Sequence, residues 1–320
     1  MGNKRRIDIE LKWYERVGFE LLWALCVVMS YMPRWFRYYL VKPLVLALLH
    51  LCRYRRRVIT ENLARSFPEK SDKERREIKN RFYNILAEIV VDTISLVTAN
   101  PRRNMDLIEW ANGEEHLKET AGRDWIAMAS HYGCWEYYPL WCWHDTNTHF
   151  MSVYHPLKSN IFEAFYLRMR RFAPNIEPVK MNDTVRYYLR NRGQNGGITL
   201  GLISDQSPRL RADSHWFRFL NQDTIFLDGS ETLALKFHIP VYFVRAERIE
   251  AGRYRVYFDK IYDGVEEVSP YEITERYVRA LEQMICSCPE LWLWSHSRWK
   301  HTPAKQERLL ARKADMLNQQ

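Results

Sequence analysis

One stretch of the sequence joins an apolar run to polar side chains: Trp125-Ile126-Ala127-Met128-Ala129-Ser130-His131-Tyr132-Gly133-Cys134-Trp135-Glu136. The apolar part, 125–130, predicts a buried strand because it is short and ends at polar residues and a glycine. Gly133 lets the backbone turn sharply, and Glu136 then falls in the first turn of a helix predicted over 134–144. Catalytic groups in α/β folds tend to lie just beyond the carboxyl ends of strands, so His131 becomes a candidate site residue.

The segments on either side alternate between helical and strand patterns. Ser71 and Glu74 form a capping box that predicts the start of a helix running to about residue 98. Downstream, predicted strands at 150–154, 198–204, 241–246 and 253–258 alternate with predicted helices at 113–121, 159–172, 183–191, 230–237 and 270–286. This alternation predicts an α/β fold with a mixed, largely parallel sheet flanked by helices.

His131 and Glu136 are the candidate catalytic pair. A histidine can act as a general base near neutral pH, and a nearby carboxylate can hold its tautomer and stabilise the imidazolium that forms. The spacing alone is weakly specific, because acidic residues fill 39 of the 320 positions. The alternative is that His131 is a structural residue, with its hydrogen bonds satisfied at the end of a strand and no catalytic role.

Other polar side chains lie where predicted strands end or on the helices between them: Tyr154, His155, Ser204, Asp205, Gln206, Arg168, Arg170 and Arg171. Their positions make them candidates for substrate contacts. The alternative for Asp205 is a helix cap or turn residue, and for the arginines a solvated helix face.

Composition narrows the classes of function. Hydrophobic residues make up 47%, which excludes a disordered protein, and Lys and Arg exceed Asp and Glu by nine (48 − 39). The basic balance favours an anionic partner, such as nucleic acid, anionic lipid or an acidic carrier protein. No helix-turn-helix, zinc-finger or RNP pattern supports nucleic acid, and no CxxC pair, P-loop or G-x-G-x-x-G supports a metal or nucleotide site.

The N-terminal segment, 1–52, carries two apolar runs at 17–32 and 38–52, separated by Pro33 and dense in aromatic residues. Aromatic residues are typical of a membrane interface, and each run is slightly short for a bilayer core. The segment therefore predicts either a tilted membrane anchor or an interfacial helical hairpin, with a buried globular hairpin as the alternative. An α/β domain should follow over 53–304, and a basic tail over 305–320.

The chain resembles the late acyltransferases of lipid A synthesis, the family of the lauroyl and myristoyl transferases. The resemblance starts near residue 13 and rests on motifs in a fixed order: Tyr54-Arg55-Arg56-Arg57-Val58, Glu61-Asn62-Leu63, Ser66-Phe67-Pro68, His131-x4-Glu136, Tyr154-x-Pro156, Ser204-Asp205-Gln206 and Trp292-Leu293-Trp294-Ser295-His296-Ser297-Arg298-Trp299-Lys300. One departure is His155, where the family often has arginine.

The resemblance implies a membrane-associated enzyme on the cytoplasmic face of the inner membrane. It would move a fatty acyl chain from a thioester, usually on acyl carrier protein, to a hydroxyl of a lipid A precursor. His131 would be the general base and Glu136 would orient it. The implied substrate-binding residues are Tyr154, Arg170, Asp205, Gln206 and Arg298, with Arg170 as a phosphate or oxyanion contact. No metal or redox cofactor is implied, since a thioester is already activated.

Three other functions stay open on the sequence. The acceptor could be another lipid, such as a glycerolipid, an aminolipid or an aryl-polyene pigment, because headgroup contacts lie in loops without a readable code. The chain could also be a non-catalytic protein that binds membrane surfaces, with the same fold but a degenerate active site. A lipid esterase is disfavoured because no G-x-S-x-G elbow is present.

Overall fold

The computed structural model describes residues 9–193 and 196–318, with side chains as far as residue 311. The strands are β1 (Ile108–Trp110), β2 (Trp125–Ala129), β3 (His149–Tyr154), β4 (Ile176–Lys180), β5 (Ile198–Ile203), β6 (Trp216–Phe219), β7 (Gln222–Ile225), β8 (Val241–Glu250) and β9 (Arg253–Tyr262). The helices are α1 (Trp13–Tyr31), α2 (Arg34–Phe36), α3 (Lys42–Leu51), α4 (Arg56–Ser66), α5 (Asp72–Ser95), α6 (Pro101–Asn104), α7 (Gly113–Thr120), α8 (Asn160–Arg170), α9 (Thr184–Asn191), α10 (Gly229–Phe237), α11 (Glu272–Ser287) and α12 (Pro303–Asn318).

Seven strands form one sheet in the order β1-β9-β8-β2-β5-β3-β4. Five of them, from β8 to β4 in that order, run parallel, whereas β9 pairs antiparallel with β8 and parallel with β1. The antiparallel pair arises because the chain turns back directly at Gly252, whose φ is +64°. The prediction of a mixed, largely parallel sheet flanked by helices is confirmed.

The two strands at the sheet edges, β1 and β4, were not predicted from the sequence. β1 has only three residues, too few to show an alternating pattern. β4 contains Pro178, a residue that argues against a strand except at an edge, and β4 does lie at the edge. The short hairpin of β6 and β7 lies outside the main sheet.

The predicted capping box forms at the start of α5. The Ser71 hydroxyl accepts a hydrogen bond from the Glu74 backbone N–H at 3.3 Å, and the Glu74 carboxylate accepts one from the Ser71 N–H at 2.7 Å. The α-helix ends at Ser95 and continues as a 3-10 turn, Leu96–Thr98, so the predicted end near residue 98 is confirmed.

The segment after His131 is helical, but it is a 3-10 helix, Trp135–Trp143, rather than an α-helix. Pro139 lies inside this segment, and an α-helix there would clash with the carbonyl of Trp135. The tighter helix still keeps Glu136 in its first turn, close to the end of β2.

The N-terminal helices form a hairpin with one face against the α/β body. α1 contacts α5 and α8, and α3 contacts α5. The Tyr38 hydroxyl donates to the buried Asp92 carboxylate at 2.7 Å, and Lys42 pairs with the buried Glu88 at 2.7 Å. These contacts fix one face of the hairpin by specific polar pairs, so the hairpin is held to the body rather than tethered by a linker.

In the described part of the chain, no single helix is both long and apolar enough to cross a bilayer. Two helical segments together reach the length and apolar composition that a membrane span needs: Trp13–Tyr31 and Arg34–Leu51. They are bent by 119° relative to each other. Residues 1–8 of the predicted anchor and 319–320 of the predicted tail lie outside the described residues. The rest of that tail belongs to α12.

Candidate active site

His131 lies just beyond the end of β2 and is held by Asp205, just beyond the end of β5. Asp205 Oδ1 lies 2.6 Å from His131 Nδ1, and Asp205 Oδ2 accepts the His131 backbone N–H at 2.9 Å. β2 and β5 are adjacent and parallel, so their carboxyl ends bring the two residues together although they are 74 positions apart. The carboxylate therefore fixes both the main chain and the ring of His131.

Trp292 is a third residue of the His131–Asp205 site, and no role for it was predicted from the sequence. Its indole N–H donates to Asp205 Oδ2 at 2.8 Å. The backbone of Trp292 pairs with Tyr132, and the Leu293 N–H donates to the His131 carbonyl at 3.1 Å. The segment thus braces the loop that carries His131. Its place in the Trp292–Lys300 motif was visible in the sequence, but its contact with Asp205 was not.

The charge on Asp205 is stabilised in a buried position. Burial by itself would raise the pKa of this carboxyl group. The favourable charge of His131 and the hydrogen bonds from His131 and Trp292 outweigh burial and lower the pKa below its usual value. Asp205 is therefore ionised at neutral pH and provides a negative charge next to the imidazole.

The other ring nitrogen of His131 lies beside Gln206, and both residues line the same crevice. Gln206 Nε2 lies 3.2 Å from His131 Nε2, and Trp135 packs edge-on against the ring with 4.9 Å between centroids. When Nδ1 donates to Asp205, Nε2 keeps its lone pair and can accept a proton from a bound hydroxyl. Gln206 thus occupies the position that such a hydroxyl would take.

Glu136 has a different partner from the one expected. Its carboxylate receives two hydrogen bonds from Arg170, from Nε at 2.9 Å and from Nη2 at 2.6 Å. Both side chains are largely buried, and the Arg170 guanidinium also lies over the Tyr166 ring. The carboxylate that contacts the His131 ring is Asp205, because β5 lies next to β2 while the 3-10 helix turns Glu136 toward α8.

Tyr154 lies at the end of β3 on the wall of the same crevice as His131. Burial, followed by the neighbouring Glu163 carboxylate, raises the pKa of its phenol well above the usual range. Glu163 also accepts the backbone N–H of Leu157 at 2.6 Å. His155 is exposed, and its Nδ1 lies 3.0 Å from the Pro156 carbonyl oxygen.

Arg298 does not line the crevice, contrary to its expected role in substrate binding. Its side chain is buried, donates from Nη2 to the Ile225 carbonyl at 2.6 Å, and lies over the Phe226 ring. Burial lowers its pKa to about 10, partly offset by the charge of Asp205. Arg298 is therefore a buried cation whose charge interacts with that of Asp205.

A crevice of about 1330 Å³ opens over the carboxyl ends of β2, β3 and β5. Along β2 every second residue lines it, namely Trp125, Ala127 and Ala129, so the crevice follows one face of the sheet. The inner end is apolar and aromatic, with Phe150, Trp141 and Phe258 beside Trp125. The outer end is polar and contains His131, Glu136, Tyr154, Arg170, Ser204 and Gln206.

A histidine paired with a buried carboxylate in a crevice with an apolar, aromatic end is an arrangement suited to an enzyme whose substrate carries a hydrocarbon chain. Over residues 5–301 the chain matches the family described as bacterial lipid A biosynthesis acyltransferase, and it belongs to that family. It is therefore an acyltransferase of lipid A synthesis, and the family expected from the sequence motifs is confirmed. No curated protein matched the chain.

Proposed function

We propose that the protein transfers a fatty acyl chain from an acyl carrier protein thioester to a hydroxyl of a lipid A precursor, with His131 as the general base. The observation that carries this proposal is the position of His131 Nε2, beside Gln206 and at the mouth of the crevice, while Asp205 holds Nδ1. A general base must lie within hydrogen-bonding reach of the proton it removes, and Nε2 has that access.

In the proposed reaction, the acceptor hydroxyl displaces Gln206 from His131 Nε2 and gives its proton to that nitrogen. The hydroxyl oxygen attacks the thioester carbonyl carbon and forms a tetrahedral oxyanion. The C–S bond then breaks, and the imidazolium returns its proton to the leaving thiolate. Asp205 stabilises the imidazolium between the two proton transfers.

Glu136 and Arg170 have a supporting role in this proposal. Glu136 holds the guanidinium of Arg170 in the crevice wall through two hydrogen bonds. A positive charge fixed there stabilises negative charge that develops on the thioester oxygen. Tyr154, on the same wall, is proposed to contact the substrate.

The apolar inner end of the crevice is proposed to hold the acyl chain. Each buried CH₂ contributes about 0.8 kcal/mol of binding free energy, so a chain that fills this end binds firmly. The exposed apolar face of the N-terminal hairpin is proposed to dock the enzyme on the cytoplasmic side of the inner membrane, where the lipid acceptor lies. The basic composition suits anionic headgroups and an acidic carrier protein.

The test is acyl transfer by purified full-length protein from acyl carrier protein thioesters to a lipid A precursor. His131→Ala should lower kcat by about 10²- to 10⁴-fold, the usual loss for a general base. Asp205→Asn should cause a loss of similar size, because the imidazolium loses its counter-charge. His215→Ala is the matched control, since His215 is exposed and stacked on Tyr271 away from the crevice. Normal turnover by a folded His131→Ala protein would refute the mechanism.

A further inference from the structure

The crevice wall carries more positive charge than the catalytic residues use. Two of its arginines have carboxylate partners: Arg170 pairs with Glu136, and Arg211 pairs with Asp228 at 2.7 Å and with Asp213 at 3.2 Å. Three further cations line the same crevice: Arg209, Lys236 and Lys300. Within residues 9–193 and 196–311, none of these three has a carboxylate within ion-pair distance.

The three cations come from different parts of the chain, and the structure holds those parts together. Arg209 lies on the loop after β5, Lys236 on α10, and Lys300 on the segment before α12. The Arg211–Asp228 ion pair joins the loop of Arg209 to the residue before α10. His301 Nε2 lies 3.2 Å from the Pro208 carbonyl oxygen, which joins the loop of Arg209 to the segment of Lys300. Gln306 of α12 donates to the carbonyls of Ala212 and Ser214 at 2.8 and 3.0 Å and fixes the far end of that loop.

Arg209 is also close to the reacting atoms in the chain. Arg209 follows Gln206 by three residues, and Gln206 contacts His131. Three extended residues span at most about 11 Å, so the Arg209 backbone lies within that distance of the Gln206 backbone. Arg209, Lys236 and Lys300 are exposed cations that line one crevice, and an anionic ligand bound among them reduces their mutual repulsion.

We propose that Arg209, Lys236 and Lys300 form a subsite for a phosphate group of the substrate. This proposal rests on the proposed function, because the phosphate belongs to a substrate that binds beside His131 in the proposed reaction. Lysine and arginine are the residues that bind phosphate, as point charge and as bidentate donor. Two substrates carry such a group: the phosphorylated lipid acceptor and the phosphopantetheine arm of the donor. The short distance from His131 favours the acceptor, because the pantetheine arm separates its phosphate from the thioester by a long chain.

The test compares each substrate with and without its phosphate. The acceptor is used as the phosphorylated lipid and its dephosphorylated form, and the donor as acyl-phosphopantetheine and acyl-pantetheine. Wild-type protein, the triple variant Arg209→Gln/Lys236→Gln/Lys300→Gln and a control triple variant Lys73→Gln/Arg76→Gln/Lys118→Gln are measured with all four. The control removes the same charge from exposed positions on α5 and α7, outside the crevice.

The expected result is that wild type prefers the phosphorylated acceptor by at least about tenfold in kcat/KM, the effect of one charged hydrogen bond. The triple variant should lose that preference through a higher KM, while the control keeps it. Loss of preference for acyl-phosphopantetheine instead assigns the subsite to the donor. The subsite is refuted if wild type shows no phosphate preference on either substrate, or if the triple variant keeps it. Failure of the proposed function is separate, because it appears as full activity in His131→Ala.

Discussion

At the scale of single residues, two carboxylates near His131 have different surroundings. Asp205 contacts the imidazole, whereas Glu136 is bound by Arg170 of α8. Removing the charge of Glu136 leaves the buried Arg170 cation without its counter-ion. A buried cation without a partner destabilises a protein strongly, typically by about 3–5 kcal/mol.

We therefore predict that Glu136→Gln lowers both the melting temperature and the turnover. The double variant Glu136→Gln/Arg170→Gln should recover much of the melting temperature, because the two amides can hydrogen-bond without a buried charge, but it should not recover turnover. Thermal melts and acyl-transfer rates on the same preparations measure both quantities. Full turnover by the double variant would remove this pair from the proposed mechanism.

His116 is a second residue whose surroundings predict a measurable effect, in this case on the pH dependence of stability. Its side chain does not line the crevice. Its ring is buried among Trp125, Trp141, Tyr242 and Phe258, and neither ring nitrogen has a hydrogen-bond partner among the described residues. Burial lowers its pKa from 6.5 to about 3. Below pH 6.5 the unfolded chain therefore binds a proton that the folded protein does not, and folding stability falls as the pH falls toward 3.

We predict that His116→Phe removes this loss. His116 should make the wild-type free energy of unfolding about 2 kcal/mol lower at pH 5 than at pH 7. This loss follows because each pH unit below the unfolded-state pKa of 6.5 costs about 1.36 kcal/mol. Urea unfolding of wild type and His116→Phe at both pH values gives the difference. His215→Phe, at an exposed position, is the control and should keep the wild-type dependence.

At the scale of elements, β2 separates two environments. Trp125, Ala127 and Ala129 line the crevice, whereas Ile126 and Met128 do not. Side chains on successive strand residues point to opposite faces, so the small residues on one face of β2 provide part of the space for the acyl chain. β5 contributes Gly201 in the same row as Ala127.

We predict that Ala127→Leu shifts the preferred acyl donor to a shorter chain, by about three carbons, because leucine adds that many carbons to the crevice. Competition between acyl carrier protein thioesters of different length measures the shift. Met128→Leu, which conserves side-chain volume on the other face of β2, should leave the chain-length preference unchanged. A shift of equal size in both variants would show a general packing effect instead of a crevice effect.

At the scale of the whole molecule, the exposed apolar surface is concentrated on the N-terminal hairpin. Leu21 and Leu51 are 68% and 80% exposed, and Leu25, Leu44 and Leu48 are also exposed. Scattered apolar residues are ordinary on a protein surface, but a contiguous group on one pair of helices marks an interaction surface. The polar contacts of the opposite face, such as Tyr38 with Asp92, hold this surface in a fixed orientation.

We predict that Leu21→Ser/Leu25→Ser/Leu44→Ser/Leu48→Ser lowers partitioning onto phosphatidylcholine vesicles by at least about 100-fold, since each leucine contributes over 1 kcal/mol when buried. Vesicle co-sedimentation measures the partitioning, and neutral lipid removes the contribution of basic residues. Val265→Ser/Ile249→Ser, at exposed apolar positions elsewhere, should leave it unchanged. Equal losses in both variants would argue against docking through the hairpin.

Local patterns in the sequence were enough to predict the class of fold, the family and most of the elements. Its local signals are strong: the Ser71–Glu74 box starts α5, and the apolar run after Asp124 forms β2. The same signals located His131 and Asp205 at strand ends, because an apolar strand stops where polar residues begin. They failed at β1 and β4, since edge strands are short or contain proline.

The carboxylate that contacts His131 could not be predicted from local patterns, because strand pairing brings it there. Glu136 is five residues away in sequence and Asp205 is 74 away, so sequence proximity favoured Glu136. The pairing of β5 beside β2 brings Asp205 to the imidazole, and α8 supplies Arg170 to Glu136. The same long-range packing buries Arg298 and brings Arg209, Lys236 and Lys300 to the lining of one crevice. Such contacts depend on strand order, which the local pattern of residues does not encode, because many strand orders are compatible with the same alternation of helices and strands.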